Sequence, residues 1–206
     1  MAKSSSRLTR QSWVSSQRKV YCEKGYGETS RGLAAKRERY ERVLATQLPG
    51  KARVLDLGCN DGSFSKLLQE KGYEVTGVDF PEIIERAKRQ HSDLDFIAHD
   101  IEELDFPDRS FDAIIALGLI EHILHDIALL EKAYNWLDTG GKIFLTTPLS
   151  PEKIVEEEAA HIRFYPPLSL SRLLELAGFT VINLEVFQKI DEYFIVGEKN
   201  GKKSVS

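Results

Sequence analysis

Cysteine is scarce in this 206-residue chain, which holds only Cys22 and Cys59. Two thiols make no disulfide framework and fit a reducing compartment, so a cytoplasmic setting is expected. Long apolar runs are missing: none approaches the roughly 20 residues that cross a bilayer. Met1 to Arg10 also lacks the hydrophobic heart of a secretion signal. A soluble protein with no membrane partner is expected. Two ligand signatures are absent as well. The stretch Gly58-Cys59-Asn60-Asp61-Gly62 lacks the G-x-G-x-x-G spacing of dinucleotide sites, and no Gly-Lys-Ser/Thr follows it as in a P-loop.

What is present is alternation. The apolar run Arg53–Leu57 ends in a glycine-flanked turn, and a helical pattern begins at Ser63. The same rhythm continues through strands at 74–79, 95–98, 113–117 and 142–147. Helices at 63–71, 81–90 and 126–137 lie between them, with Pro81 at a first helical turn and Asp138-Thr139-Gly140-Gly141 as a turn. Near-continuous apolar strands separated by helices predict a doubly wound, mostly parallel α/β sheet with helices on both faces. A helix over 169–177, capped by Gly178, precedes two last strands at 180–187 and 193–198. Their link is short enough to require antiparallel pairing, so seven strands ending in an antiparallel hairpin are expected. Before this domain, a frayed tail reaches about Arg10, helices are expected over 12–24 and 33–48, and 26–32 reads as a loop. The division is an extension over 1–48, one domain over 49–199 and a tail over 200–206.

Charge narrows the ligand. Asp56 and Asp61 bracket the glycine turn, Asp79 closes the second strand and Asp100 the third. On a parallel sheet these acids gather at the carboxyl ends, where open α/β sheets bind ligands. Such a rim repels a pyrophosphate and suits a cation bearing a ribose, as S-adenosylmethionine does. The net charge of −4 divides unevenly. Residues 1–50 carry 11 Lys/Arg against 4 Asp/Glu, and the remainder 17 against 28, giving +7 and −11. One reading lays the basic segment against the acidic body. Another has Arg31, Lys36, Arg37 and Arg39 recruit an anionic substrate. The acidic body offers no broad basic surface, so nucleic acid is not expected as a partner.

The stretch Val54 to Gly62 resembles motif I of the class I S-adenosylmethionine-dependent methyltransferases. The likeness extends through Asp79, Asp100-Ile101, Phe111 to Leu117, Glu121-His122 and Gly140 to Leu145, covering Pro49 to Lys199. The nearest group holds the ubiquinone-pathway O-methyltransferases and methionine-biosynthesis-type methyltransferase domains. The resemblance implies S-adenosyl-L-methionine as cofactor, a small-molecule acceptor methylated on oxygen, and a segment before motif I that acts as a lid. Gly58, Cys59 and Gly62 would border the methionine part, with Asp56 beneath. Asp79 would take the ribose hydroxyls, Phe80 lie against adenine, Asp100 accept from the adenine amine, and Ile101 and Leu117 give apolar contact.

Methyl transfer is an in-line displacement on an already activated carbon, so alignment supplies much of the acceleration. A hydroxyl acceptor benefits from a base that titrates near neutrality, and His122 and His161 are the candidates. Tyr26, Arg31, Arg163 and Tyr165 are the candidates for acceptor contact; Tyr165 also reads as a packing residue. In RNA 2′-O-methyltransferases with a Glu-x-x-Glu-His motif these positions bind a metal with a later histidine. Here Gly118 replaces the first acid, and no metal is expected although Glu121, His122 and His161 remain. His91, His99 and His125 are given no role. A cofactor-binding module without turnover and an RNA methyltransferase are the competing readings. Oligomeric state stays open between monomer and homodimer.

Overall fold

The computed structural model describes residues 9–15, 30–149, 161–187 and 190–201, with backbone only for 30–35. Tyr26, Cys22 and the acidic run Glu156 to Glu158 lie outside the described residues, as does the side chain of Arg31. Among the described residues no helix is long and apolar enough to cross a membrane.

Seven strands form one sheet: β1 (Arg53–Leu57), β2 (Glu74–Asp79), β3 (Asp95–Ala98), β4 (Phe111–Leu117), β5 (Leu137–Pro148), β6 (Thr180–Phe187) and β7 (Glu192–Glu198). Their spatial order is β3-β2-β1-β4-β5-β7-β6. The first five are parallel, and β7 pairs antiparallel with both β5 and β6. The chain winds outward from β1 to β3, then returns to β4 on the other side of β1. The crevice between β1 and β4 is the topological switch point where such sheets hold ligands.

Side-chain alternation along the central strands divides the core in two. Ile114, Ala116, Ile143, Leu145, Tyr193 and Ile195 face the helices Asp126–Trp136 and Pro167–Leu176. Ala113, Ile115, Phe144, Phe194 and Val196 face the opposite layer, with Val43, Phe64 and Leu68 of the helices Ser30–Ala45 and Ser63–Glu70. A smaller cluster joins Ile84 and Ala87 of the helix Pro81–Gln90 to Cys59, Leu94 and Phe96. The Phe96 ring lies so close to two glycines that a β-carbon on Gly62 or Gly77 would come within 2.6 or 2.8 Å of it.

Several boundaries differ from expectation, among them β4, which begins at Phe111, and the helix expected over 169–177, which spans Pro167–Leu176. The helix expected from Leu33 begins at Ser30 and ends at Ala45. A helix occupies 10–15, two residues earlier than expected, and the rest of the 12–24 expectation lies outside the described residues. Strand β5 begins at Leu137, directly after its helix, where Asp138 to Gly141 reads as a turn. Leu137 pairs with Phe111 and Lys142 with Ala113, so the intervening residues bulge opposite Asp112. That bulge is held by the Lys199 backbone, which accepts from the Gly140 amide at 2.7 Å and donates to the Gly141 carbonyl at 2.9 Å.

Phe144 is fully buried at the centre of the sheet, its ring stacked 6.1 Å from Phe194. Truncation there removes a ring that no neighbour can replace. Phe144→Ala is expected to cost about 3–5 kcal/mol, read as a lower urea midpoint at unchanged slope.

Candidate functional site

At the carboxyl end of β1 the chain must reverse within five residues. Gly58 and Gly62 do so with φ of 74° and 75°, a conformation that a β-carbon disfavours. The turn hangs from β2. The Val78 carbonyl accepts the amides of Gly58 and Cys59 at 2.9 and 3.1 Å. Asp79 accepts the Asn60 amide through Oδ2 at 3.0 Å and the Phe80 amide through Oδ1 at 2.7 Å. Asn60, itself at φ 49°, accepts through Oδ1 from the Arg86 guanidinium at 3.0 Å. One carboxylate thus fixes both the glycine turn and the start of the next helix.

The other acids of the rim have separate tasks. Asp56, only 4 % exposed, accepts from the Ser65 hydroxyl at 2.6 Å and ties the strand to the helix after the turn. Burial, opposed by that hydrogen bond, pushes the Asp56 carboxyl up to about 7. Burial likewise raises Asp79 to about 6, against the pull of its two backbone amides. Burial would raise Asp61 too. Its bond from the Ser63 amide at 3.0 Å and its ion pair with Lys36 at 2.9 Å prevail, and it falls below its ordinary value. The Cys59 side chain packs into the small third cluster, leaving its backbone to border the turn.

Asp100 caps the short turn Ile101–Glu103 by accepting the Glu102 amide at 3.0 Å, and Arg10 pairs with it at 2.8 Å. Phe80 precedes the helix Pro81–Gln90 and is half-buried, as is Leu117 at the end of β4, whereas Ile101 is buried in the larger cluster. The expected cofactor residues therefore line a single edge of the sheet.

Across the switch point lies a second constellation. After β4, Gly118 leads into the turn Ile120–His122, which buries both Glu121 and His122. The Ile162 amide donates to the Glu121 carbonyl at 3.0 Å and brings His161 over this turn. The rings of His122 and His161 are 4.6 Å apart. Ligating atoms of Glu121, His122 and His161 all lie within 4.8 Å of one another. Two atoms here, Glu121 Oε2 and His161 Nδ1, are buried with no hydrogen-bond partner. Burial pushes the Glu121 carboxyl up to about 7 and pulls the His161 imidazole below its ordinary value. Trp13 of the N-terminal helix donates through Nε1 to the His122 carbonyl at 3.1 Å.

The four-donor metal site of the Glu-x-x-Glu-His type does not fit these residues. Where its first acid would stand, Gly118 is covered by the Arg39 guanidinium. A β-carbon at Gly118 would lie 3.1 Å from Arg39 Nη1, 3.3 Å from Nη2 and 3.4 Å from Cζ. A guanidinium has five donors and no lone pair for a metal. Arg39 in turn holds Glu192 at the start of β7, Nε donating to Oε2 at 2.7 Å and Nη2 to Oε1.

Lys36, Arg39 and Arg42 fall three residues apart on one face of the helix Ser30–Ala45. They meet Asp61, Glu192 and Glu185 of the body. Arg37 instead pairs with Glu41 on the same helix. The basic segment lies against the acidic body, the plainer of the two sequence readings.

Two expected acceptor contacts are committed to the fold instead. Arg163 donates to the carbonyls of Ile123 and Leu124 at 2.6 and 3.0 Å, and its charge lies 3.6 Å from Asp126. Tyr165 is 6 % exposed and donates its hydroxyl to Asp126 at 2.6 Å. Sequence reasoning placed Glu121 beside a histidine but gave it no catalytic part, and saw Arg39 only as one of four basic residues. The three-residue spacing of basic side chains was the available signal.

The family described as a methyltransferase domain matches residues 28–184, and the chain belongs to it. A ubiquinone biosynthesis O-methyltransferase of Idiomarina loihiensis is 31% identical over 171 residues, covering 72% of this chain and 70% of that protein. The protein of the same name from Xanthomonas axonopodis is 33% identical over 115 residues, 53% of this chain and 48% of its own length. The chain thus spans about half of one of these curated relatives and 70% of the other. A putative methyltransferase from Bacillus halodurans superposes with a TM-score of 0.70 at 17% identity, over 80% of this chain and 100% of that one. At that identity the likeness shows the fold alone.

The raised Asp56 carboxyl has a measurable consequence. The folded chain keeps a proton that the unfolded chain releases near 3.8, so this contribution to stability is present in acid and lost as pH rises to about 7. In Asp56→Asn that loss is expected to vanish. Between pH 4.5 and 7.5, urea titrations should show the variant gaining on the parent by on the order of 2 kcal/mol.

Proposed function

We propose that this chain is an S-adenosylmethionine-dependent methyltransferase that methylates an oxygen of a small-molecule acceptor, working in the cytoplasm. The observation that carries the reading is the glycine turn held by Asp79 at the switch point, with Asp56 and Asp61 beside it. A ligand there meets backbone at Gly58 and Gly62 and a concentration of negative charge. That combination suits a sulfonium and an ammonium and opposes a diphosphate. Each Asp79 oxygen uses one lone pair on a backbone amide and keeps another for a ribose hydroxyl. Phe80, Asp100, Ile101 and Leu117 are the residues assigned to the adenine end.

The bound cofactor supplies a methyl group on a positively charged sulfur. This chain's residues hold the acceptor in line and take its proton. His161, kept neutral by burial, is a base at pH 7, with the His122 ring tilted 59° beside it. The names of the curated relatives support a small-molecule oxygen acceptor, and the buried, unpartnered Glu121 Oε2 and His161 Nδ1 support one that carries a hydroxyl.

Isothermal titration calorimetry of S-adenosylhomocysteine is expected to show micromolar binding, with none for NAD. Asp79→Ala is expected to weaken it by roughly tenfold or more, because the turn and the ribose contacts depend on one carboxylate. Unchanged affinity in that variant would remove the site assignment. In the parent, affinity is expected to fall as pH drops through about 6, where Asp79 takes up its proton. On any acceptor found by screening phenols, hydroxy acids and sugars, His161→Ala is expected to lower kcat by about 100-fold.

A further inference from the structure

We propose that the outer edge of β6 is a dimerisation surface, where a second copy of this chain adds its own β6 antiparallel and joins two seven-stranded sheets into one. The proposal is independent of the methyltransferase reading.

Three observations meet at this edge. Among the described residues the exposed large apolar side chains are Leu168, Leu176, Ile182, Leu184 and Val186, between 37 % and 76 % exposed. All of them belong to β6 and to the helix Pro167–Leu176 that packs against it at one end of the sheet. Single exposed apolar residues are normal, but a cluster on adjoining elements marks a contact surface. Leu184 and Val186 pair across the ladder with Ile195 and Tyr193, which face this helix, so both stand on the helix side of β6.

Second, β6 ends the strand order, and no described strand lies beyond it. An eight-residue strand in that position presents a row of amides and carbonyls to any strand that can match it. Edges that resist pairing carry proline, lysine or an inward charge. The run Thr180-Val181-Ile182-Asn183-Leu184-Glu185-Val186-Phe187 has no proline and no basic residue. Its one charge, Glu185, stands on the face away from the helix, 3.4 Å from Arg42. The one blunting device is a bulge at Ile182, which leaves Asn183 to Phe187 as a regular ladder.

Third, the strand is complementary to itself. A closed dimer has a two-fold axis, so each residue meets the one equally far beyond the centre. Centred on Glu185, the pairing would set two carboxylates opposite each other, which is unfavourable. Centred on Leu184, it sets Leu184 against its own copy and Val186 against Ile182. On the other face Glu185 then meets Asn183 of the second copy. That amide gives one hydrogen to its own Glu185 at 2.9 Å and has a second to give. The occupant that fits this strand is the strand itself. Because β7 and β5 separate β6 from β4, the switch point stays clear of the contact. The half-turn between copies opens their two ligand edges at opposite rims of the joined sheet.

Sedimentation equilibrium of the full chain is expected to give a dimer with Kd of about 10 μM or tighter. Leu184→Asp replaces the apolar pair on the axis by two carboxylates and is expected to weaken association by about 100-fold or more. An unchanged circular dichroism spectrum shows that this variant folds. Register is read separately in a Cys22→Ser background, which leaves the buried Cys59. On mild oxidation Leu184→Cys is expected to form a disulfide-linked dimer, since facing β-carbons in an antiparallel pair lie about 4.5–5.5 Å apart. Glu185→Cys, diagonal to its own copy at roughly 7–8 Å, is expected to cross-link far more slowly. A parent that stays monomeric at about 100 μM would overturn the proposal; the patch would then be covered by this chain's own residues or by a different protein. Association that survives Leu184→Asp, or faster cross-linking at 185 than at 184, would overturn it as well. Should Leu184→Asp fail to fold, the cross-linking comparison decides.

Discussion

The double hydrogen bond accepted by Asp79 is the constraint on which the ligand edge depends. One buried carboxylate receives the amide of Asn60 from the glycine turn and the amide of Phe80 from the start of the next helix. It therefore sets the distance between two successive β-to-α connections. Without it the Gly58–Gly62 turn retains its bonds to the Val78 carbonyl but loses its outer rim. Burial opposes the charge on Asp79, and the amide bonds favour it. A cationic ligand adds to the favourable side, so the site is better balanced electrostatically when filled than when empty.

The opposite wall is organised by the N-terminal part of the chain. Lys36 and Arg39 project from one helix face to an acid in the glycine turn and an acid at the start of β7. Tyr40, next to Arg39 in the sequence, stacks on Phe64 at 3.9 Å with planes 10° apart. Further upstream, Arg10 reaches Asp100 and Trp13 reaches the His122 carbonyl. The described segments before β1 therefore touch both halves of the candidate site: the glycine-turn edge through Asp61 and Asp100, the opposite edge through Glu192 and His122. The charge asymmetry of the sequence favours this arrangement, since a +7 segment and a −11 remainder attract one another.

The strands were the most legible part of the chain. A run such as Ala113 to Ala116 is buried on both faces and reads as a continuous apolar stretch, and Val54 to Leu57 does so but for Asp56. Fixed ends at Pro81 and Gly178 made those boundaries easy to place. Asp138 to Gly141 misled because its turn-forming residues are held within the strand as a bulge by a partner, Lys199, some sixty positions away. No local rule contains that contact. The positions of Asp79 and Asp100 at or just after strand ends were legible because each acid closes an apolar run. Arg163 and Tyr165 were not, since a basic and an aromatic residue near a pocket look alike whether they face a ligand or, as here, brace Asp126 and two carbonyls. Glu121 escaped because nothing in a sequence shows that a carboxyl oxygen will be buried without a partner.

Phe96 fills the space that Gly62 and Gly77 leave open. The three positions form a volume-sharing group that spans the ligand turn, β2 and β3. Descendants of this chain can enlarge one member only by shrinking another, so drift at these sites has to be correlated. A smaller residue at 96 relieves only part of the crowding: a β-carbon at 77 would still lie 3.0 Å from Cys59 Sγ, and position 62 would still hold φ at 75°.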